Sequence, residues 1–175
     1  MPELPEVEMV TRHLNDLIVG HQLLKANLIR PGLAAENSPR QFSLWLKNTR
    51  VEAVTRRGKH ILIHFENQRT LITHLRMTGR FQYLEESEEN PKHTHALFTL
   101  DQNKKLAFAD PRHFAMMHLL RTAEVPNSKY IAKLAPEPFS EAFDDKYLQA
   151  ILKRSKQPIK LNHAPPARAK ERIRA

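Results

Sequence analysis

A series of short segments with alternating apolar and polar residues between positions 51 and 120 constrains the fold most strongly. Turn-forming residues separate these segments, which lie at 51–55, 60–65, 70–75, 80–84, 95–100, 105–109 and 114–120. A period of two is typical of β-strands, and short turns permit only antiparallel pairing between neighbours. Because no helix separates successive strands, the pattern predicts an antiparallel β-sandwich or barrel.

The residues before this series have helical spacing. Apolar side chains recur every three or four positions over 4–19 and Gly20 ends the pattern, which predicts an amphipathic N-terminal helix. A strand is predicted over 22–30, and a short helix capped by Ser38 follows. The side chains that this short helix should bury are Phe42, Trp45 and Leu46.

The pattern changes after position 121. A short helix is predicted over 127–134, and the prolines of 135–138 indicate a stiff linker. Asp144 can cap a further helix that ends near Ser155. Its apolar face comprises Tyr147, Leu148, Ile151 and Leu152. We therefore expect a main domain at 1–134, a linker and first helix of a second domain at 135–160, and a disordered or weakly helical tail at 161–175.

Composition excludes several classes of site. The chain has no cysteine, which removes disulfides, thiol nucleophiles and cysteine-bound zinc, and its 10 histidines show no helical metal-binding pair. No apolar stretch approaches the roughly 20 residues of a membrane span, so we expect a soluble intracellular protein. Of the 28 basic and 19 acidic residues, eight basic but one acidic lie at or after position 153. Such a basic end indicates either nucleic-acid binding or a solvated segment.

The first residues offer covalent chemistry. If Met1 is removed, Pro2 carries a free secondary amine beside the Glu3 carboxylate. An α-amino group has a pKa of about 8, so part of it is unprotonated at neutral pH and can form a Schiff base with a carbonyl-like carbon. The alternative is an ordinary helix start, with Pro5 in the first turn and acids near the positive end of the helix dipole.

Three turns between the predicted strands carry cations, at 56–59, 92–95 and 110–114. Each could be a solvated turn, although loop tips on a rigid sheet are also where binding residues concentrate. Side chains suited to enter a base step accompany them, namely Met77, Arg112 and Phe114. Together with a nucleophilic N-terminus, these turns suggest chemistry on a nucleotide flipped out of a duplex.

Six motifs then occur in a fixed order, at 2–8, 57–59, 74–79, 92–95, 110–114 and 136–138. On these motifs the chain, from Met1 to about Lys160, resembles the formamidopyrimidine-DNA glycosylase and endonuclease VIII family, and most closely its formamidopyrimidine (8-oxoguanine) branch. The resemblance implies an antiparallel β-sandwich with an N-terminal helix, followed by a helix-two-turn-helix domain. It also implies a monomeric base-excision enzyme of the bacterial cytoplasm and nucleoid that acts on damaged double-stranded DNA.

The resemblance further implies roles for individual residues. Pro2 would be the Schiff-base nucleophile at C1′, Glu3 the general acid at the sugar ring oxygen, and Lys59 the proton donor during strand cleavage. The implied DNA-binding residues are His93, Arg112 and Lys156. The residues implied to fill the gap left by the flipped base are Met77, Arg112 and Phe114.

After position 160 the chain departs from the family pattern, with Pro165-Pro166 and no cysteines for the family's zinc finger. We therefore expect a C-terminally truncated member with an incomplete helical segment and with no metal or cofactor. Two hypotheses remain open: a bifunctional glycosylase and AP lyase for oxidised purines, or an impaired or inactive member that binds DNA weakly. Lesion preference and the removal of Met1 are also open.

Overall fold

The structure is a computed structural model that describes residues 2–138 and 140–154. The chain divides into two compact units, one up to residue 125 and one from residue 126. The described helices are α1 (Leu4–Ile18), α2 (Pro39–Leu46) and α3 (Asp145–Arg154). The described strands are β1 (Gln22–Leu28), β2 (Thr49–Arg57), β3 (His60–Phe65), β4 (Arg69–His74), β5 (Arg80–Glu85), β6 (Thr94–Leu100), β7 (Lys104–Ala109) and β8 (Met116–Arg121). Short 3₁₀ helices lie at Pro31–Ala34 and Thr122–Asn127.

The eight strands pair in the order β5-β7-β6-β1-β2-β3-β4-β8, and every pairing is antiparallel. The two central strands β1 and β2 pair only at Gln22 with Arg50 and at Leu23 with Thr49. The strands therefore form two four-stranded layers, which are joined by the short pairing between β1 and β2. Side chains of both layers, including Ile63 and Phe98, line one small internal void and belong to one apolar core. The predicted sandwich is confirmed.

Helix α1 begins where its sequence predicts. Glu6 accepts a hydrogen bond from the backbone N–H of Glu3 at 2.9 Å, which satisfies a group that a helix start leaves unpaired. On the opposite side, the Asn15 side chain accepts from the Val54 N–H of β2 at 3.0 Å. The apolar stripe that the helix buries comprises Val7, Leu14 and Ile18. Burying each such side chain stabilises the fold by about 1.5–3 kcal/mol.

Helix α2 is capped as predicted, because the Ser38 hydroxyl accepts a backbone hydrogen bond at 3.1 Å. Phe42 and Leu46 are fully buried. Trp45 was expected to be buried with them, but it is only partly buried, and the guanidinium of Arg69 lies 3.8 Å from its ring centroid. A cation over an aromatic face keeps contact with water, so this ring lies at the edge of the core.

The start of the last strand and one predicted helix differ from the structure. The last strand begins at Met116 rather than at position 114, because Phe114 belongs to the turn before it. The helix expected over 127–134 does not form: the 3₁₀ helix Thr122–Asn127 contains Pro126 and is followed by separate turns, the first closed by N–H groups that bond the Ser128 carbonyl. Within this segment, the Ile131 and Leu134 N–H groups bond carbonyls three residues back, and this spacing closes short turns rather than an α-helical ladder.

In the second unit, α3 is the helix predicted after Asp144. The Asp144 carboxylate accepts from the backbone N–H of Tyr147 at 2.7 Å, which caps the helix. The predicted end near Ser155 and the predicted tail at 161–175 lie outside the described residues, and the predicted domain boundaries stay predictions. In the described part of the chain, no helix has the length and apolar character needed to cross a membrane.

Candidate functional site

Strand register brings four loops to the same end of the sandwich. His74, at the end of β4, pairs with His60 at the start of β3 and with Met116 at the start of β8. In the other layer, Ala109 at the end of β7 pairs with Arg80 and Thr94, the first residues of β5 and β6. The loops that meet there, here called the loop end, are 58–59, 75–79, 91–93 and 110–115.

The predicted catalytic residues lie together beside the start of α1. The Nζ of Lys59 donates to a carboxylate oxygen of Glu3 at 2.8 Å. The Lys59 side chain is 7% exposed, whereas that of Glu3 is 62% exposed. Pro2 directly precedes Glu3 and is partly exposed. A buried ammonium, a carboxylate and the residue that carries the prospective amine thus share one corner of the molecule.

A charged cluster that the sequence reasoning missed ties α1 to the strand that leads into this corner. Glu8 accepts from Nε of Arg56 at 2.7 Å and from Nε of Arg12 at 2.8 Å. These hydrogen bonds, first from Arg56 and then from Arg12, lower the pKa of the Glu8 carboxyl below its ordinary value. Arg56 also donates to the Gly58 carbonyl at 3.0 Å, so the same guanidinium holds the turn before Lys59.

The three residues predicted to fill a vacated base position contact one another. Nη1 of Arg112 donates to the sulfur of Met77 at 3.2 Å, and its guanidinium carbon lies 5.1 Å from the Phe114 ring centroid. Met77 is 46% exposed and Phe114 is 56% exposed. Large apolar side chains left in water next to a cation mark an interaction surface. We call Met77, Arg112 and Phe114 the wedge.

Asp110 shapes the turn that carries two members of the wedge. It is 1% exposed and accepts from the Thr78 hydroxyl, from the Ala115 N–H at 2.8 Å and from the Arg112 N–H at 3.3 Å. Burial acts to raise the pKa of Asp110, but the hydrogen bonds from Thr78 and from the backbone of Ala115, Arg112 and Phe114 outweigh it and lower the pKa. The carboxylate therefore stays ionised and fastens loop 75–79 to turn 110–115.

Of the other two predicted DNA-binding residues, His93 and Lys156, the structure describes only His93. His93 is exposed at the loop end with a backbone φ of 62°, and its carbonyl accepts from the Asp110 N–H at 3.1 Å. Lys156 lies outside the described residues. Within residues 2–138 and 140–154, no three His, Asp or Glu side chains are grouped so that they could hold a metal ion.

Two signals could have found the residues that the sequence reasoning missed. Glu6 follows Glu3 by three positions, which is the spacing of a capping box. Asp110-Pro111 is a dipeptide typical of turns in which the Asp side chain bonds the following backbone. No sequence signal pairs Glu8 with Arg56, since their contact joins a helix to a strand 48 residues later.

Comparison with solved structures defines the class of fold. The chain superimposes with a TM-score of 0.83 and 31% identity on Lactococcus lactis Fpg in complex with DNA containing an abasic site, covering 91% of this chain and 59% of that one. It matches the Lactococcus lactis Fpg complex with Fapy-dG-containing DNA with the same TM-score and identity, covering 90% and 59%. The sandwich with its leading helix is therefore the N-terminal fold of the Fpg proteins.

Sequence comparison gives the family. Residues 1–117 match the model of the formamidopyrimidine-DNA glycosylase N-terminal domain, and the chain belongs to that family. It is 38% identical over 160 residues to the formamidopyrimidine-DNA glycosylase of Moorella thermoacetica, and 32% identical over 161 residues to that of Bacillus subtilis strain 168. Each match covers 91% of this chain and 58% of the relative, so the chain spans a little over half the length of these relatives.

Proposed function

We propose that this chain carries the catalytic part of a DNA glycosylase with AP-lyase activity that removes oxidised purines such as 8-oxoguanine and formamidopyrimidines. The observation that carries the proposal is the contact between Lys59 and Glu3 at the start of α1, next to Pro2. A proton donor, a carboxylate and an amine in one corner are the groups that Schiff-base chemistry needs. The proposed chemistry uses these groups alone and needs no metal or cofactor.

In the proposed reaction the Pro2 nitrogen attacks C1′ of the damaged nucleotide. The glycosidic bond breaks, and its electron pair leaves with the base, which takes up a proton from water. The Glu3 carboxylate takes the proton that the Pro2 nitrogen loses and gives it to the ring oxygen as the sugar opens, and the nitrogen and C1′ become an iminium. The iminium acidifies the C2′ proton. Loss of that proton expels the 3′ phosphate, Lys59 supplies a proton during this elimination, and the strand is cut.

The proposed partner is damaged double-stranded DNA. The wedge can fill the position of an extruded base, since apolar and arginine side chains enter base steps in this way. Exposed cations at the loop end, among them Lys92 and Arg112, suit phosphate contacts. The Lactococcus lactis proteins that share this fold were solved with DNA containing an abasic site or Fapy-dG. A location at the bacterial nucleoid follows from such a partner.

Borohydride trapping tests this proposal. The chain with Pro2 at its N-terminus should form a covalent adduct with a duplex that contains an abasic site or 8-oxoguanine, and peptide mapping should locate the adduct on Pro2. The matched control carries extra residues before Pro2, so the nitrogen lies in a peptide bond while every side chain is kept. Intact mass establishes whether Met1 is absent.

The alternative, an impaired member that only binds DNA weakly, predicts a different result. Anisotropy would then report binding to the damaged duplex, while borohydride would trap nothing. An adduct of the unextended chain that peptide mapping places on a residue other than Pro2 would also reject Pro2 as the nucleophile.

A further inference from the structure

The turn that carries Arg112 and Phe114 is held by a pair of histidines. The Nε2 of His95 lies 2.9 Å from the Asp110 carbonyl oxygen and 2.8 Å from Nδ1 of His113. His95 is buried, whereas His113 is exposed and lies between the two wedge residues in the chain. The imidazole of His95 therefore contacts both the start of the turn and the residue between its wedge side chains.

We assign the hydrogens of the two imidazoles from the contact with the Asp110 carbonyl. A carbonyl oxygen can only accept, so Nε2 of His95 carries a hydrogen. That hydrogen also faces His113, whose Nδ1 must then offer a lone pair. His113 is consequently neutral in this arrangement, and its own hydrogen resides on Nε2.

A second set of bonds closes a ring around the same turn. The His95 carbonyl accepts from the Ile29 N–H at 2.9 Å and from the Arg30 N–H at 3.0 Å. Arg30 then donates from Nη1 to the His113 carbonyl at 3.3 Å. His113 has a φ of 61°, in the left-handed region that non-glycine residues rarely occupy. A residue stays in such a conformation when surrounding contacts determine it, and this ring supplies those contacts.

We propose that His113 is a positioning residue for the wedge, which it holds in place through His95 only while its imidazole is neutral. The proposal rests on the proposed function, because the wedge acts on DNA. It adds that acid releases the turn: a protonated Nδ1 would point a hydrogen at the hydrogen of His95 Nε2. An imidazole ordinarily changes charge within about pH 5 to 8, and the test below covers most of that range.

Charged and titratable groups lie around His113. Arg30 bonds the His113 carbonyl, Arg112 is its chain neighbour, and the His93 ring centroid lies 6.2 Å from that of His113. The nearby acid, Asp110, has its carboxylate occupied by hydrogen bonds within the turn.

The direction of the pH dependence distinguishes a positioning role of His113 from a simple contact with phosphate. A histidine that binds phosphate as a cation strengthens DNA binding as the pH falls. A histidine that positions the wedge only when neutral weakens wedge insertion as the pH falls. One pH series therefore decides between the two roles.

The test uses a duplex with 2-aminopurine opposite a tetrahydrofuran abasic analogue, saturated with the protein, from about pH 8 down to about pH 5.5. Anisotropy at each pH verifies saturation. We expect the rise in fluorescence caused by wedge insertion to fall severalfold over this series. In H113N, where asparagine tolerates a positive φ, the rise should be small and independent of pH. The control H13N, at an exposed histidine on α1, should behave like the wild type.

Three outcomes would overturn the proposal. A wild-type signal that stays constant or grows in acid contradicts it, and so does an H113N signal that keeps the wild-type pH dependence. Failure of the wild type to bind the duplex at about pH 8 would instead remove the proposed function itself, and this inference with it. The first outcome, in which the wild type binds the duplex but its signal does not change with pH, contradicts this inference and leaves the proposed function in place.

Discussion

The ammonium of Lys59 lies 2.8 Å from the Glu3 carboxylate, although 56 residues separate them in the chain. The contact joins the turn between β2 and β3 to the first turn of α1. Both groups gain from it: the carboxylate holds a cation that is otherwise buried, and the cation orients the carboxylate beside Pro2. The contact therefore holds the ammonium and the carboxylate at fixed positions beside Pro2.

Replacing Lys59 tests its proposed role as a proton donor. We expect K59M to slow strand cleavage at an abasic site by about 10²-fold or more, because positioned proton transfer contributes about 10²–10⁴-fold to rates. K59R keeps a cation but cannot readily give up a proton, so it should also be slow. Single-turnover cleavage measures both rates, and circular dichroism verifies folding. Cleavage by K59M at the wild-type rate would reject the role.

Gly79 is predicted to tolerate no side chain. A Cβ at this position would lie 2.6 Å from the Leu75 carbonyl oxygen and 2.9 Å from Cζ of Phe108. G79A should therefore lower the free energy of unfolding by about 1–3 kcal/mol, as overpacking does elsewhere. The matched control is G32A, whose Cβ would meet nothing closer than 3.7 Å. Urea unfolding should show a loss in the first variant and little change in the second.

At the edge strand β8, the Asn37 side chain makes the hydrogen bonds that a neighbouring strand would otherwise make. Its amide donates to the Leu119 carbonyl at 2.8 Å and accepts from the Leu119 N–H at 2.9 Å, and the side chain is buried. N37A leaves two buried backbone groups unpaired, at a cost of about 1–3 kcal/mol for each group. N67A removes one exposed bond to the Trp45 carbonyl and should cost clearly less. Equal unfolding midpoints for the two variants would contradict this account.

Asp110 predicts a pH dependence of stability. Its pKa is lowered from the ordinary value of 3.8, so its stabilising effect is fully present above that value and is lost as the pH falls through the lower folded-state pKa. D110N removes an acceptor from buried donors and should cost about 1–3 kcal/mol near pH 7. The difference between wild type and D110N should shrink toward about pH 2. A difference in unfolding free energy that is constant over this range would reject an ionised, hydrogen-bonded Asp110.

The spacing of apolar residues and the capping residues predicted most of the helices and strands. The strands follow from alternation, α1 from its apolar stripe, and α3 from the Asp144 cap. The segment 127–134 was predicted wrongly, since its backbone closes separate turns instead of one helix. The family motifs predicted that Met77, Arg112 and Phe114 act together, and the structure places them in contact.

Contacts that depend on strand register could not be predicted from the sequence. Nothing in the pattern pairs Glu3 with Lys59, or the Asn37 side chain with the backbone of Leu119, because each contact requires the arrangement of several strands. The partial exposure of Trp45 likewise depends on Arg69, which arrives from β4. A sequence shows that a residue is apolar, but the neighbouring strand decides whether its face meets the core or a cation.

The two wedge-bearing loops differ from the hairpin turns of the sandwich, because both cross between its layers. Loop 75–79 runs from β4 in one layer to β5 in the other, and turn 110–115 runs back from β7 to β8. Packed sheets lie about 10 Å apart, so each crossing has a length set by the thickness of the core. The core side chains thus set how far Met77, Arg112 and Phe114 project from the sandwich, and a core substitution far from the wedge can change that distance.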